Sequence, residues 1–501
     1  MEKLMSETDY LNAMLNGAGT ATPDQQAILE HPRKGARSTL VRIKGEAGTG
    51  KTFCLLAKLL GEAGRYPRDP RERWARQPVL FVCFNREMAN YARHLIHPFP
   101  QAPLIHVTTF DSLVVGLMLK HLEKNPRPGT SDGPAPSVDY SFELVRAAMQ
   151  EVAQRHPEER SKYYLDAANK RNVRWVADEL SWLEASYGSE TDAEVMYLSA
   201  AREGRGTNRR PGKAARSIIL EIWLEHHRLL ANANRFTVEQ AVNELMGTAG
   251  LPCYNVIAID EAQDLSVRSI QLLLKLRRDS QSRVYLSADE GQKIYQRDFL
   301  WKSLDADATG TTYTLRDNKR NCAAVRDFAE RLRSGRGASL PLLDTSTVHL
   351  LHGDEEELVG LAADLAARED QATMLVGGPE WDAKLRVAGV AVRNPLLQED
   401  EFRRRFGSAG RSGQGAAPAD SGRARKEVDV TQPGLYVMSE LKAKGLEFDN
   451  VIVPTLQPFA DDDDSERRLR YVHFSRARRE LYVFLNDTTP GWLQATYPDL
   501  L

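Results

Sequence analysis

A glycine-rich turn set between an apolar run and a helical pattern constrains this chain more than any other feature. Gly45-Glu-Ala-Gly-Thr-Gly-Lys51-Thr52 follows the β-branched run Leu40 to Ile43 and precedes the apolar-periodic stretch Phe53 to Leu60. A buried strand, a loop carrying Gly45, Gly48 and Gly50, and a helix opening at Lys51 make a cradle for phosphate. The glycines let backbone N–H groups curl around oxygen, and the helix N-terminus adds positive potential. Lys51 neutralises β/γ charge, and Thr52 offers a hydroxyl to Mg²⁺. The pattern predicts an α/β nucleotide-binding fold with ATP and Mg²⁺ as cofactors.

Such a fold needs a second set of groups at a neighbouring strand end. About 200 residues on, Val256-Ile-Ala-Ile-Asp260-Glu261-Ala-Gln-Asp264 is an apolar run that ends in carboxylates. Asp260 is placed to hold the metal, and Glu261 to orient or deprotonate an attacking water. Alone, a strand ending in Asp-Glu is compatible with a surface turn; beside a phosphate loop it reads as the other half of a hydrolytic site.

Further short apolar runs, Val79 to Phe84 and Val284 to Leu286, read as buried parallel strands, with a helical pattern at Ser266 to Leu276. A second set follows at Val348 to Leu351, Thr373 to Val376, Tyr436 to Met438, Val451 to Val453 and Leu481 to Phe484. Two α/β units with parallel sheets are expected, the first interrupted by helical material from about 114 to 250. Residues 124 to 138 and 204 to 213 read as Pro/Gly-rich loops inside that insertion. Residues 407 to 425 carry almost no large apolar side chains and read as a flexible linker. The acidic run Asp461 to Asp464 reads as a solvated loop, because contiguous aspartates repel and lack ligand spacing.

Composition excludes several classes. Of 501 residues, 42% are hydrophobic and 27% charged, the proportions of a globular chain. The net charge of -2 leaves no overall basic footprint, so any nucleic-acid contact must be local. No apolar run approaches the roughly 20 residues that span a bilayer, and Met1 to Asp9 has no secretory pattern. Four isolated cysteines show no metal-like spacing. A cytoplasmic protein with no membrane partner is expected.

Together with the phosphate loop, Asp260-Glu-Ala-Gln-Asp264-Leu resembles superfamily 1 helicases of the UvrD/Rep type, and further motifs follow in order from residue 22 to about 485. Thr22-Pro-Asp-Gln25-Gln26 is similar to the Q motif, which assigns Gln25 to the adenine edge. Leu80-Phe-Val-Cys-Phe84-Asn85 and Val107-Thr-Thr109-Phe110-Asp-Ser-Leu resemble motifs Ia and Ib, which hold single-stranded DNA. Asp289-Glu-Gly-Gln292-Lys-Ile-Tyr295 resembles motif III, and Leu315-Arg-Asp-Asn318-Lys319-Arg320 motif IV. Lys444-Gly445-Leu-Glu447-Phe-Asp449 resembles motif V, and Tyr471-Val-His-Phe-Ser475-Arg476 motif VI.

The resemblance implies two RecA-like domains with ATP between them. It assigns residues 1–113 and 250–315 to domain 1A, 114–249 to a helical 1B-like insertion, 316–400 and 431–501 to domain 2A, and 401–430 to a linker or reduced 2B domain. Gln292 would report the γ-phosphate, Arg320 and Arg476 would act as arginine fingers, and Glu447 would touch the ribose region. Phe84, Phe110, Tyr295 and Trp301 are aromatics suited to stack on unpaired bases, at about 1–3 kcal/mol each. Asn85, Thr109 and Ser112 are candidate phosphate or sugar contacts, and the basic turn with Arg202, Arg205, Arg209 and Arg210 could track a backbone.

Departures from the pattern matter too. Lys319 stands where motif IV carries an aromatic that stacks on adenine, and Ala288, Asp111 and Ser475 replace common residues without removing a catalytic group. Little sequence between Arg320 and Lys444 is left for a large accessory domain, so translocation is a safer expectation than strong unwinding. Beyond residue 485, where the motif matches end, about fifteen residues remain, so no fused nuclease is expected in this sequence. The expected partner is single-stranded DNA, with RNA as the other candidate, and the KGLEF form of motif V points to 3′ to 5′ movement. The alternative expectation is a nucleic-acid-gated ATPase switch, a sensor subunit with a nuclease or phage-defence effector partner.

Overall fold

The computed structural model of the chain describes residues 5–15, 20–31, 39–46, 48–65, 78–126, 135–188, 190–199, 209–289, 310–318, 321–334, 347–393, 430, 432–439, 443–454 and 470–485. The loop readings at 407 to 425 and 461 to 464, and residues 204 to 208 of the basic turn, lie outside them.

The β-branched runs do become buried parallel strands. The first sheet consists of β1 (Leu40–Gly45), β2 (Val79–Cys83), β3 (Ile105–Thr109), β6 (Val256–Ile259), β7 (Arg283–Ala288) and β8 (Thr311–Leu315), in the order β3-β2-β6-β7-β1-β8. Every pairing in it is parallel. Successive side chains of a strand alternate between faces, and the cores follow: Val79, Phe81 and Cys83 of β2 join one buried cluster, Leu80 and Val82 another. Helices α1 (Glu7–Met14), α2 (Pro23–Leu29), α3 (Lys51–Ala63) and α4 (Arg86–Ile96) are associated with the first face; α5 (Phe110–Lys124), α10 (Val238–Gly247) and α11 (Val267–Lys275) cover the second.

Two strands, β3 and β8, were not anticipated from the sequence pattern. Both are edges of the sheet. In β8, Thr311-Thr-Tyr-Thr-Leu315 alternates between partly exposed and exposed positions until the buried Leu315, so it lacks the continuous apolar run that marks a central parallel strand.

Between α5 and α10 a group of helices packs by itself. Helices α6 (Glu143–Arg155), α7 (Lys170–Tyr187), α8 (Glu190–Ser199) and α9 (Lys213–Asn232) enclose their own core around Met149, Val176, Leu183, Ile219 and Trp223. A pair of two-residue strands, β4 (Ser137–Val138) and β5 (Arg235–Phe236), ties its ends together.

The second sheet has the order β11-β10-β12-β13-β9, all parallel, from β9 (Val348–His352), β10 (Ala372–Val376), β11 (Gly434–Met438), β12 (Phe448–Val453) and β13 (Ala477–Leu485). Helix α12 (Ala323–Ser334) packs on one face, and α13 (Glu355–Ala366) and α14 (Pro379–Val387) on the other. A continuous buried cluster runs from Leu55 and Phe81 on the first sheet to Phe328, Met374 and Tyr436 on the second. The two α/β units therefore share a core. Among the described residues, no helix is long and apolar enough to cross a membrane.

Candidate nucleotide site and nucleic-acid edge

The phosphate loop leaves β1 and enters α3 through two left-handed glycines, Gly48 at φ 83° and Gly50 at φ 82°. An L side chain is strained at these angles, and a Cβ on Gly50 would also lie 2.6 Å from Gln25 Nε2. The Lys51 ammonium is folded back into the loop, donating to the Gly45 and Glu46 carbonyls at 2.8 Å each, with Asp289 Oδ2 at 3.7 Å. Thr52 Oγ1 donates to Asp260 Oδ2 at 2.6 Å. The hydroxyl and carboxylate assigned to the metal thus meet at one point although they are 208 positions apart in sequence.

The other groups come off β6 and β7. Asp260 is 2% exposed; its Oδ1 accepts from Ser287 Oγ and, at 3.2 Å, from the Glu261 N–H. Glu261 adopts φ 54°, a left-handed conformation for a residue with a side chain, and is 7% exposed. Strain of this kind clusters at functional sites. Its carboxylate accepts from Gln263 Nε2, and Gln263 Oε1 in turn accepts from the Asp289 N–H at 3.1 Å.

The two adjacent carboxylates are pushed apart electrostatically. Burial raises Asp260, reinforced by the neighbouring Glu261 charge and opposed by bonds from Ser287 and Thr52. Burial would raise Glu261 as well, but Lys444, Lys51 and Arg476, with the Gln263 bond, hold it below the usual range. An ionised Glu261 beside a hydrogen-bonded Asp260 suits a pair in which one orients water and the other binds a cation.

The donor set fits Mg²⁺. Thr52 and Asp260 supply hard oxygens, and among the described residues no cluster of three or more His, Cys, Asp or Glu forms a cage of its own. Mg²⁺ is usually held by one or two carboxylates plus substrate phosphates.

Across the cleft stands the loop that leads into β12. Gly445 and Glu447 face Lys51, Thr52 and Glu261 around a small cavity, with Tyr91 of α4 beside them. Gly445 has φ 83°, and a Cβ there would lie 3.0 Å from Met88 Cε. Glu447 Oε2 accepts from Arg478 Nε at 3.2 Å. Lys444, on the same loop, reaches into the first unit and pairs with Asp264 at 2.5 Å, both side chains fully buried. Its carbonyl accepts from Asn85 Nδ2 at 2.9 Å. Both residues stand in the quoted motif strings, but sequence reasoning gave neither a role. The available signal was a charged residue inside a segment otherwise read as interior, since buried charges are almost always paired.

Arg476 is 1% exposed, donating to the Val472 and Leu446 carbonyls at 2.9 and 3.1 Å and to Ser475 Oγ at 3.1 Å. Its field still reaches Glu261. Gln25 accepts from the Thr22 N–H at 3.0 Å and donates to the Thr49 carbonyl at 3.1 Å, which seats the Q-motif helix on the phosphate loop. Gln292, Tyr295, Trp301, Lys319 and Arg320 lie outside the described residues.

Three of the expected nucleic-acid residues do structural work in this chain. Phe110 is 4% exposed in the core beneath α5, so its ring has no free face for a base. Thr109 caps α5, accepting from the Ser112 N–H at 3.2 Å and donating to Ser112 Oγ at 2.8 Å. Asn85 caps α4, accepting from the Met88 N–H at 2.7 Å while its amide N–H binds Lys444. Phe84 is half-buried, with the Lys444 ammonium 5.8 Å from its ring centre.

Comparison with known proteins bears on this arrangement. Residues 21–297 match the UvrD/REP helicase N-terminal domain, a span of more than half the chain, and residues 434–484 match the UvrD-like helicase C-terminal domain. The chain belongs to the UvrD/REP helicase family. It is also similar to DNA helicase IV of Escherichia coli (strain K12), at 22% identity over 493 residues, covering 89% of this chain and 66% of that protein. The helicase-family match spans both the phosphate loop and the Asp260-Glu261 strand end.

Proposed function

We propose that this UvrD/REP-family chain is an ATP-driven translocase that moves 3′ to 5′ on single-stranded DNA. The observation that carries the reading is the meeting of Thr52 and Asp260 at the mouth of the phosphate loop, with Glu261 beside them and Gly445 and Glu447 of the other unit opposite. A nucleotide held there touches both sheets, so its binding and hydrolysis change the relation between them.

Lys51 would exchange its loop carbonyls for β/γ-phosphate oxygens, and Thr52 and Asp260 would hold Mg²⁺. When bound, the cation neutralises charge on the phosphates. Glu261, kept ionised by Lys444, Lys51 and Arg476, orients water in line with the γ-phosphate and accepts its proton. Arg476 and Arg320 stabilise charge in the transition state from the second unit. The division at residues 113, 250, 315, 400 and 431 is proposed with this reading. The four free thiols suit the reducing cytoplasm, and neither comparison favours the gated-switch alternative.

The test is displacement of streptavidin from end-biotinylated oligonucleotides in ATP and Mg²⁺. Displacement from the 5′ end is the expected result. Release from the 3′ end alone would reverse the polarity, and release from neither end would refute translocation.

A further inference from the structure

Helix α3 carries a second lysine two turns beyond Lys51. Lys58 is 1% exposed, and its ammonium donates to the Leu29 carbonyl at 2.6 Å and the His31 carbonyl at 3.4 Å. These are the last carbonyls of α2 and of the turn that follows it. A helix leaves its final carbonyls without internal partners, and a cation there also meets the negative end of the helix dipole. Burial pushes Lys58 down to about 8, opposed by the nearby Glu62 and reinforced by Arg283, so at neutral pH it remains mostly an ammonium with three donors.

The rest of α2 is tied just as closely. It has seven residues, too few to hold a helix without tertiary support. At its start Thr22 and Gln25 form a reciprocal cap. At its end His31 Nδ1 lies 2.8 Å from Tyr313 Oη of β8, with the rings edge to face at 5.7 Å. Between these ties, Gln25 spends one N–H on the Thr49 carbonyl and one lone pair on the Thr22 N–H. An amide has two of each, so among the described residues one donor and one acceptor remain. That pair complements the N6–H and N7 edge of adenine, whereas guanine offers two acceptors, O6 and N7, on the same edge.

We propose that Lys58 is a positioning residue that sets nucleotide choice: by fixing the C-terminal end of α2 it holds the Gln25 amide in register with a purine above the phosphate loop, so that adenine is taken and guanine rejected. The proposal rests on the reading of the cleft as an ATP site. Lys58 touches neither phosphate nor base, and its loss acts through α2.

The experiment is steady-state hydrolysis of ATP and of GTP by the full chain, with Mg²⁺ and saturating oligo(dT), for wild type, Lys58→Met, Lys58→Arg and Tyr313→Phe. Lys58→Met raises KM for ATP about tenfold, with kcat within about threefold, as expected when binding shared by ground and transition states is lost. KM for GTP stays where it was, so the preference for ATP falls towards one. Lys58→Arg, which keeps donors at the helix end, restores most of the preference.

An unchanged ATP preference in Lys58→Met, or an equal rise in both KM values, overturns the proposal. Should Lys58→Met not fold, as judged by its melting curve, Tyr313→Phe decides: it shifts KM for ATP upward by about two- to threefold and leaves GTP alone, and no shift in selectivity is a negative answer. A wild-type protein that hydrolyses neither nucleotide refutes the ATP-site reading itself. One that hydrolyses both equally well leaves that reading standing and removes this one.

Discussion

The carboxyl end of the first sheet has a candidate nucleotide edge and a candidate nucleic-acid edge, and the two were differently readable. At the nucleotide edge, Lys51, Thr52, Asp260 and Glu261 gather around one point: Lys51 is turned to the loop carbonyls, Thr52 to Asp260, and the Glu261 carboxylate to Gln263. Along β2 and β3, residues of similar motif character do structural work: Asn85 and Thr109 cap helices, and Phe110 fills a core. A residue type that is chemically demanding, such as an ammonium in a glycine loop or adjacent buried carboxylates, has few structural uses. A threonine or asparagine before a helix has an ordinary one, worth about 1 kcal/mol as an N-cap.

The comparison is sharpest where its two sides should fail in different ways. The largest effect is expected at the nucleotide edge. Lys51→Ala takes ATP turnover to background, and Glu261→Gln lowers it by about 100-fold or more while fluorescent ATP analogues still bind. Steady-state rates with titrated nucleotide check both, and wild-type turnover in either variant would break the assignment of this edge.

Next in size is the tie between the two units. Lys444→Met removes the ammonium that pairs with the fully buried Asp264 carboxylate, which should cost about 3–5 kcal/mol. Adding Asp264→Leu should recover part of the loss, because the buried carboxylate that lost its ammonium is then gone. Urea melts of the two single variants and the double give the coupling, and strict additivity would mean that the pair does not act as one.

Along β2 and β3 the expected effects fall on stability and not on binding. Phe110→Ala should destabilise by about 3–5 kcal/mol as a core truncation and Thr109→Ala by about 1 kcal/mol as a lost cap. Neither should change oligo(dT) affinity per folded molecule by fluorescence anisotropy. A clear loss of affinity in stable Thr109→Ala protein would return that residue to the binding surface and erase the contrast between the edges.

Much of the architecture was legible because central parallel strands are continuous apolar runs. Val79 to Cys83 and Val256 to Ile259 are buried at every position. The edge strand Thr311 to Leu315 is at least partly exposed at every position but its last, so it carried no such signal. The phosphate loop was legible for a related reason: two of its glycines are required by left-handed backbone, a demand written directly in residue type. What could not be read was pairing across units. Lys444 and Asp264 are 180 positions apart, and nothing local to either reveals the other. Lys58 was equally silent, since a lysine on a helix usually faces water and only the packing of α2 makes it interior.

The central claim is that nucleotide turnover in this cleft is coupled to a nucleic acid lying across both units. The most direct measurement is the Mg²⁺-dependent ATP hydrolysis rate with and without single-stranded DNA, with Lys51→Ala as the blank. The account predicts hydrolysis that DNA stimulates several-fold and that vanishes in the blank. A rate that neither DNA nor RNA changes would contradict it.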